Sequence, residues 1–300
     1  MLHATTTPAE KRAALRARLA VDEILVLPGA FNPLSAMLIE KKGFEGVYVS
    51  GAVLAADLGL PDVGLTTLSE VALRSQQIAR VTNLPVIVDA DTGFGEPMNV
   101  ARTVASLEDA GVAGLHLEDQ VNPKRCGHLD GKAVVGLEEA TRRVRAARDA
   151  RRDPNFLVVA RTDVRALEGL DAAIARARAY VDAGADAIFP EALLSAQEFA
   201  ALRAAIPVPI LANMTEFGKG EALSVRQMGD LGVDMVIFPV SLLRLAMGAA
   251  DRALATLQSE GSLSRLLGEM QTRAQLYDLL DYEAYGAFDQ SIFDFRLEGD

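Results

Sequence analysis

Residues 85–117 read PVIVDADTGFGEPMNVARTVASLEDAGVAGLHL and contain one complete copy of the pattern that decides the fold. An apolar run at 85–88 is followed by a polar turn with glycines. A stretch with helical spacing at 100–110 and a second apolar run at 114–117 come next. Neither apolar run alternates with polar residues, which indicates strands covered on both faces, as in a parallel sheet. The stretch therefore predicts a strand, a helix and a second, parallel strand.

The same pattern recurs along most of the chain. Short apolar runs predict eight strands, at 24–27, 46–49, 85–88, 114–117, 156–160, 187–189, 209–211 and 235–238. Segments with helical spacing follow them at 34–42, 68–82, 100–110, 137–150, 171–183, 196–205, 221–231 and 241–260. Eight strands alternating with eight helices predict an α/β fold, the closed (β/α)8 TIM barrel. A doubly wound open sheet is the structural alternative.

The two ends of the chain add helices to this barrel. Residues 8–20 predict an amphipathic helix within an N-terminal segment, 1–20, and residues 266–280 predict a further helix within a C-terminal tail, 262–300. No linker or low-complexity segment divides the chain, so 1–300 is expected to form a single barrel domain. The end of the tail is rich in aromatic residues. It could pack on its own barrel or on a second subunit, and the sequence favours neither.

Composition excludes several classes of function. A formal net charge of −11 argues against a nucleic-acid surface, which needs clustered lysines and arginines. A single cysteine excludes a disulfide framework and is typical of a reducing cytoplasm. Residues 1–18 lack the apolar core of a signal peptide, and no uncharged apolar stretch is long enough to span a bilayer. We therefore expect a cytoplasmic protein that binds neither nucleic acid nor a membrane.

Acidic residues follow most of the predicted strands, at the barrel end where TIM-barrel active sites lie. Asp89 and Asp91 follow the third strand, and their spacing of two predicts that their side chains point to the same side. Asp62 and Glu118 follow the second and fourth strands. These four carboxylates predict an all-oxygen site for Mg²⁺ or Mn²⁺, with some acids acting through bound water. The alternative is that Asp91 only caps the turn before the next helix.

Arginines lie close to the same strand ends. Arg161 and Arg244 follow the fifth and eighth strands, and Arg273 lies in the tail. Guanidinium groups bind carboxylates in bidentate pairs, so a cationic rim around a divalent metal predicts a substrate with more than one carboxylate or phosphate. A surface ion pair is the alternative role for any one of them. The glycines at 93 and 95 match neither a Walker nor a dinucleotide fingerprint, so no nucleotide cofactor is expected.

The only cysteine lies in the loop Asn122-Pro123-Lys124-Arg125-Cys126-Gly127-His128. The neighbouring cations Lys124 and Arg125 predict that the thiol ionises readily. The alternative is a small buried hydrophobic residue. A Ser-His-Asp hydrolase is rejected, because Ser50-Gly51 is not a nucleophile elbow and His116 is interpreted as a core or supporting histidine.

Taken together, these motifs resemble the isocitrate lyase/phosphoenolpyruvate mutase superfamily. The residues that carry the resemblance are Val88-Asp89-Ala90-Asp91-Thr92-Gly93-Phe94-Gly95, Leu117-Glu118-Asp119-Gln120 and Lys124-Arg125-Cys126-Gly127-His128. Supporting segments keep their order over nearly the whole chain. The cysteine loop is typical of the lyases of the superfamily. The compact length resembles the 2-methylisocitrate lyases more than the larger isocitrate lyases.

The resemblance implies an assembly and a reaction. The assembly is a homotetramer, a dimer of dimers in which paired subunits exchange their last helix. The reaction is Mg²⁺-dependent cleavage of a tricarboxylate, (2S,3R)-2-methylisocitrate, to pyruvate and succinate in the methylcitrate cycle of propionate catabolism. Lysis or hydrolysis of a related acid, namely 2,3-dimethylmalate, isocitrate or oxaloacetate, stays open. A non-catalytic binding or scaffold barrel is the alternative of another class, and the complete set of Asp, Cys and Arg residues argues against it.

The resemblance also implies roles for individual residues. Asp89 and Asp91 would be the metal-site acids, with Asp62 and Glu118 in a water-bridged shell. The keto-acid part of the substrate would be bound by Ser50 and Gly51. Residues that would hold the substrate's carboxylates and hydroxyl are Arg161, Glu191, Asn213, Thr215, Arg244 and Arg273.

Cys126 would be the general acid of the cleavage, on a catalytic loop with Lys124, Gly127 and His128. The general base is either Tyr48 or a carboxylate of the metal site, and the sequence does not choose between them. In one place the chain departs from many relatives, which carry a glycine where this chain has Ala52. The methyl group is expected to narrow the pocket floor, and it leaves the exact substrate size open.

Overall fold

The computed structural model describes residues 4–127 and 131–295. Within these ranges eight strands run parallel to one another. They are β1 (Leu25–Pro28), β2 (Val47–Val49), β3 (Val86–Asp89), β4 (Gly114–Glu118), β5 (Leu157–Thr162), β6 (Ala187–Pro190), β7 (Leu211–Asn213) and β8 (Met235–Phe238).

The strands close into a barrel. Strands β2 to β6 form one run in chain order, and β1, β8 and β7 form a second. Isolated parallel bridges, Gly29 with Tyr48 and Ile188 with Ile210, join the two runs at both edges. The strands are buried almost throughout, which is why their sequences are apolar on both faces. The predicted closed barrel, rather than an open sheet, is what the chain forms.

Helices surround this barrel and cover its N-terminal end. The helices are α1 (Pro8–Leu19), α2 (Pro33–Lys41), α3 (Gly51–Asp57), α4 (Leu68–Ala79), α5 (Pro97–Asp109), α6 (Leu137–Ala150), α7 (Arg165–Glu168), α8 (Leu170–Ala183), α9 (Ala196–Ala205), α10 (Val225–Asp230), α11 (Ser241–Glu260), α12 (Arg273–Leu279) and α13 (Tyr282–Phe293). Each strand is followed by at least one helix, as the sequence predicts.

Two differences from the prediction have local causes. The short helices α3 and α7 lie outside the segments for which the sequence predicts a helix, and Ser50 starts α3 as its N-cap. The prediction of a single helix at 266–280 is wrong, because the chain forms a 3₁₀ helix (Ser264–Glu269) and then α12. The break occurs because Met270 is extended and Thr272 begins a new helix, in a capping box with Gln275.

Helix α1 closes the N-terminal end of the barrel. Its Leu15 is fully buried and packs with strand residues that include Leu25 and Leu157. Its Lys11 donates from Nζ to the carbonyl oxygens of Ala79 (2.7 Å) and Thr82 (2.5 Å). Carbonyls at a helix C-terminus carry partial negative charge, which explains why this ammonium group is buried here.

Leu15→Ala is expected to destabilise the protein by about 2–5 kcal/mol, because the surrounding barrel residues cannot fill the cavity. Urea denaturation measures the change. The matched control is Leu73→Ala on α4, where the side chain is 55% exposed and a change below about 0.5 kcal/mol is expected. Equal effects of the two substitutions would contradict the packing of α1.

The C-terminal helices leave many apolar side chains exposed. Helix α11 is 20 residues long, yet Thr256 is its one buried residue. Leu245 is 71% exposed and Phe293, on α13, is 74% exposed. In the described ranges no helix combines the length and apolar composition needed to cross a bilayer.

Candidate active site

Asp89 and Asp91 meet at the C-terminal end of the barrel, although not in the predicted way. Asp89 ends β3, but Asp91 lies beyond the strand with φ of 45°. The alternation argument is therefore wrong, because a left-handed residue breaks the period of two. The turn still brings the carboxylates together over Gly51. A Cβ on that glycine would lie 3.0 Å from Oδ2 of Asp89 and 3.1 Å from Oδ1 of Asp91.

Backbone and hydroxyl groups fix this pair. Oδ2 of Asp89 accepts from the N–H of Gly51 (3.0 Å), and Oδ1 accepts from the N–H of Asp91 (3.0 Å). Oδ2 of Asp91 accepts from Oγ1 of Thr66 (3.3 Å). Ser50, next to Gly51, is buried and accepts the N–H of Val53 as a helix cap. The acid pair is thus preorganised on the barrel scaffold.

Lys124 places an ammonium group among these acids. Its Nζ lies 2.7 Å from Oδ1 of Asp91 and also contacts Asp62. Burial alone would lower the pKa of Lys124, but the surrounding carboxylates raise it, so the group is charged. The sequence predicts this cation beside the thiol. Instead the side chain extends to the carboxylates, and the guanidinium of Arg125 contacts the carbonyls of Pro123 and Lys124.

The two aspartates titrate differently. Burial, reinforced by the charge of Asp89, raises the pKa of Asp91 to about 6. Burial would also raise the pKa of Asp89, but His116, Lys124 and Arg161 together lower it to about 2. The acid pair therefore holds a second negative charge only above about pH 6.

Tyr48 and His116 form a buried pair beneath the acids. The hydroxyl oxygen of Tyr48 lies 2.6 Å from Nε2 of His116. Burial lowers the pKa of His116 to about 4, so the imidazole is neutral, which agrees with its interpretation as a supporting residue. Burial, reinforced by Asp89, raises the pKa of Tyr48 well above its ordinary value. Tyr48 therefore keeps its phenolic proton at neutral pH.

Arg161, at the end of β5, lies among three carboxylates. Its Nε and Nη2 donate to Asp163 at 2.9 and 3.2 Å. Nε is 3.3 Å from Glu118, and Nη1 is 3.7 Å from Glu191. Burial raises the pKa of Glu118 well above its ordinary value. Burial would raise the pKa of Asp163 too, but Arg161 and Lys132 lower it.

The cysteine loop packs onto this arginine. A Cβ on Gly127 would lie 2.5 Å from Nη2 of Arg161 and would overlap Glu191, so only glycine fits there. Cys126 is half-buried. The amide of Gln120 holds the backbone before it, by accepting from the N–H of Arg125 (2.8 Å) and donating to its carbonyl (2.8 Å). His128, the remaining residue predicted for this loop, lies outside the described residues.

The other predicted substrate-binding residues differ in how close they lie to this group. Nδ2 of Asn213 is 3.5 Å from both carboxylate oxygens of Glu191. Arg244 donates to Thr215 (3.3 Å) and to the carbonyl of Glu216 (2.7 Å), and about half of its side chain is exposed. Arg273 is exposed at the start of α12, which packs on α2. No contact between described residues joins Arg273 to this group.

Two residues of this site were not singled out from the sequence. Asp163 follows the fifth predicted strand, and its spacing of two from Arg161 is a usable signal. Lys132 lies five residues after Gly127 in a polar loop, and its Nζ donates to the carbonyl of Gly127 and to Oδ1 of Asp163 (2.8 Å). Nothing in the local sequence distinguishes this lysine.

The donor set fits a divalent cation. The contacts described above connect five carboxylates to the three cations Lys124, Lys132 and Arg161, namely those of Asp62, Asp91, Glu118, Asp163 and Glu191. The carboxylate of Asp89 lies beside that of Asp91. Over residues 4–127 and 131–295, no three His, Cys, Asp or Glu side chains are arranged to hold one ion together. Asp89 and Asp91 could therefore supply two ligands, with water or substrate oxygens completing the shell.

Comparison with known proteins agrees with the fold and with the family that the sequence resembles. A family model described as phosphoenolpyruvate phosphomutase matches residues 15–258. The chain is 60% identical over 298 residues to a probable 2-methylisocitrate lyase 2 of Corynebacterium glutamicum, covering 99% of this chain and 97% of that relative. It is 44% identical over 277 residues to a 2-methylisocitrate lyase of Bacillus subtilis, covering 92% and 91%.

Solved structures show the same architecture. An oxaloacetate acetylhydrolase with 3,3-difluorooxalacetate superposes with a TM-score of 0.90 at 34% identity, over 97% of this chain and all of that one. A 2,3-dimethylmalate lyase superposes with a TM-score of 0.89 at 34% identity, over 98% and all of that one. A phosphonopyruvate hydrolase in complex with oxalate and Mg²⁺ superposes with a TM-score of 0.85 at 30% identity, over 93% and 98%.

The barrel, with acids and arginines at the C-terminal ends of its strands, is typical of an enzyme that acts on small carboxylates. The chain belongs to the isocitrate lyase/phosphoenolpyruvate mutase superfamily and, within it, to the family of the 2-methylisocitrate lyases. The resemblance noted in the sequence is thus confirmed.

Proposed function

We propose that the protein cleaves 2-methylisocitrate to pyruvate and succinate, with Mg²⁺ as the cofactor and Mn²⁺ as the other suitable ion. The observation that carries the proposal is the path of residues 124–127. Lys124 contacts Asp91 at one end of this segment, and Gly127 packs on Arg161 and Glu191 at the other. Cys126 thus lies between the acid pair and the carboxylate-binding arginine.

Asp89 and Asp91 would hold the metal ion, with Asp62 and Glu118 contributing through water. The excess of carboxylates over cations would repel a tricarboxylate substrate unless a divalent ion offset it. The relative that was solved with Mg²⁺ and oxalate supports this assignment. When bound, the ion would polarise the substrate oxygen that becomes the pyruvate carbonyl.

Mg²⁺ affinity is expected to depend on pH through Asp91, because the ion and the proton compete for one carboxylate. The pKa of Asp91 is about 6 in the metal-free protein. The apparent affinity should be constant above about pH 7 and should fall nearly tenfold per pH unit well below 6. Calorimetric titration with MgCl₂ from pH 5 to 8 measures it. Affinity that is constant from pH 5 to 8 would contradict the assignment of Asp91.

The protein's own residues support a retro-aldol cleavage. A base removes the proton of the tertiary hydroxyl, and the bond to the neighbouring carbon breaks as the oxygen becomes the carbonyl of pyruvate. The electron pair of that bond passes to the succinate half as an aci-carboxylate, whose negative charge Arg161 would stabilise. The thiol of Cys126 then donates its proton to the carbon, and the thiolate is later reprotonated by solvent.

The pKa directions favour a carboxylate of the acid cluster as the base. Tyr48 keeps its proton because burial raises its pKa, so it suits the role of a hydrogen-bond donor. The proton of Tyr48 is free for such a bond if Nε2–H of His116 donates to the phenolic oxygen. In that tautomer Nδ1 of His116 carries no proton. Nδ1 has no hydrogen-bond partner among the described residues, so it is left as an unpaired acceptor and not as an unpaired donor.

Cleavage of 2-methylisocitrate in D₂O tests this reaction class. Equimolar pyruvate and succinate are expected by NMR, with one deuterium on a methylene carbon of succinate from the Cys126 step. The matched control is Cys126→Ser under the same conditions. Products other than pyruvate and succinate, or succinate without the label, would overturn the proposed reaction.

We further propose a cytoplasmic homotetramer in which paired subunits exchange their last helix. The single half-buried thiol suits a reducing compartment. The exposed apolar residues of α11 and α13 supply a surface that a partner subunit would bury. Light scattering should give about four times the chain mass of 32.0 kDa. A monomer at micromolar concentration would contradict this assembly.

A further inference from the structure

Lys132 connects the backbone next to Cys126 to the interior of the barrel. It lies on the segment that returns from the cysteine loop, and its side chain is almost fully buried. Its Nζ donates to the carbonyl of Gly127 and to Oδ1 of Asp163 at 2.8 Å. One ammonium group thus bridges the loop and the end of β5.

Asp163 connects the same lysine to Arg161. It is fully buried; Oδ1 accepts from both Lys132 and Nη2 of Arg161, and Oδ2 accepts from Nε of Arg161. The N–H of Asp163 donates to Asp119 (3.0 Å), whose other carboxylate oxygen accepts from Tyr180 (2.7 Å). The carboxylate is therefore fixed from both sides and has little freedom to move.

We propose that Lys132 and Asp163 are positioning residues that hold the backbone at Cys126 in a fixed place relative to the guanidinium of Arg161. The connection runs from the Gly127 carbonyl through Lys132 and Asp163 to Arg161. The inference rests on the proposed function, in which Cys126 donates a proton to a substrate half that Arg161 binds. Gln120 fixes the peptide on the other side of the cysteine, so Cys126 has a tethered neighbour before and after it.

This connection has a chemical consequence. Proton transfer to carbon requires the donor and the bound substrate to be aligned, and a displacement of about 1 Å can cost about a hundredfold in rate. Bonds from a charged donor are stronger than neutral ones, so an ammonium group suits a tether that resists such displacement. Neither side chain need touch the substrate to act in this way.

Lys132→Met tests the tether, with Lys132→Arg as the conservative variant and Lys42→Met as the matched control on an exposed lysine. Lys132→Met is expected to lower kcat about a hundredfold and to change KM less than about threefold. A guanidinium at this position can still donate to both acceptors, so the arginine variant should recover to within about tenfold of wild type. Asp163→Asn should also raise KM, because it weakens the hold on Arg161.

The second readout is alkylation of Cys126 by iodoacetamide, which reports on the only thiol in the chain. Lys132→Met should alter this rate several-fold while the melting temperature and circular dichroism show a folded protein, and Lys42→Met should alter nothing. If the methionine variant does not fold, Lys132→Gln, which keeps a neutral donor, replaces it.

Two results would overturn the proposal: wild-type kcat and alkylation rate in folded Lys132→Met, or equal losses in the methionine and arginine variants. A failure of the proposed function would look different. The wild type would then not form pyruvate and succinate from 2-methylisocitrate, or Cys126→Ser would keep the lyase activity, while alkylation of the Lys132 variants would still report whether Lys132 fixes the loop.

Discussion

Cys126→Ser is expected to lower kcat on 2-methylisocitrate by about a thousandfold, which is within the range of general acid catalysis. Serine is close to cysteine in size but is a far weaker acid, so it should fill the space beside Gly127 without donating a proton in the transition state. Because this side chain is only half-buried, we expect the serine variant to fold. Steady-state kinetics, with the melting temperature as a check on folding, measures the effect.

Binding should survive this substitution, because the acid pair and Arg161 are unchanged. The KM, or the Kd for pyruvate and succinate together, should stay within about threefold of wild type. A substitution at Ser262, an exposed serine of the tail, controls for unspecific effects. A serine variant with near-wild-type kcat would refute the assignment of Cys126 as the general acid.

Arg161→Met is expected to destabilise the protein by about 3–5 kcal/mol at pH 7. The guanidinium is buried with Glu118, Asp163 and Glu191, and its removal would leave these carboxylates undercompensated. The substitution should also lower kcat/KM at least a hundredfold, because a charge-assisted partner of the substrate carboxylates is lost. Urea denaturation and initial rates measure the two effects.

The loss of stability should depend on pH in a defined direction. Arg161 and Lys132 together lower the pKa of Asp163 below its ordinary value against the effect of burial, so in the wild type this carboxylate stabilises the fold above its unfolded pKa, and the contribution is lost as the pH falls through the lowered pKa of the folded protein. Without the arginine the pKa rises, and protonation relieves the buried charge as the pH falls. The difference between wild type and variant should therefore be smaller at pH 5 than at pH 7.

Arg142→Met is the control for this experiment. Its ion pair with Glu138 lies on the surface of α6, where 67% of the arginine side chain is exposed, and a change below about 1 kcal/mol is expected. A similar small effect from Arg161→Met would contradict the buried network.

The barrel was predictable because buried parallel strands leave a simple signal. Their runs are apolar on both faces, and helical segments of ordinary length separate them. The C-terminal ends of these strands then locate the polar residues, as with Asp89 and Arg161. Helix ends that are set by one or two residues were harder to predict. The capping of α12 by Thr272 breaks a stretch that has helical spacing throughout.

Many of the residues that meet in the candidate site were predictable from the sequence, but their contacts were not. Asp91 joins Asp89 through a left-handed turn, which no alternation rule anticipates. Lys124 is adjacent in sequence to the cysteine loop's arginine, yet its long side chain reaches the acids. Lys132 meets Asp163 only after the chain has returned from the loop. Such contacts depend on how distant segments come together in the fold, and the local sequence does not specify this arrangement.

Arg273 remains a prediction of another kind. The described contacts place it on the surface of a tail helix rather than in the mouth of its own barrel. Its role in binding substrate stays a prediction, as does that of Arg161, which lies at the end of β5 among the acids of the candidate site.

The most direct test of the central claim is a substrate comparison with and without metal. Initial rates would be measured in MgCl₂ for 2-methylisocitrate, isocitrate, 2,3-dimethylmalate and oxaloacetate, each with an EDTA control. We expect Mg²⁺-dependent formation of pyruvate and succinate from 2-methylisocitrate, with kcat/KM at least about tenfold above that for the other acids. A higher kcat/KM for any of the other three, or turnover that EDTA leaves unchanged, would contradict the account.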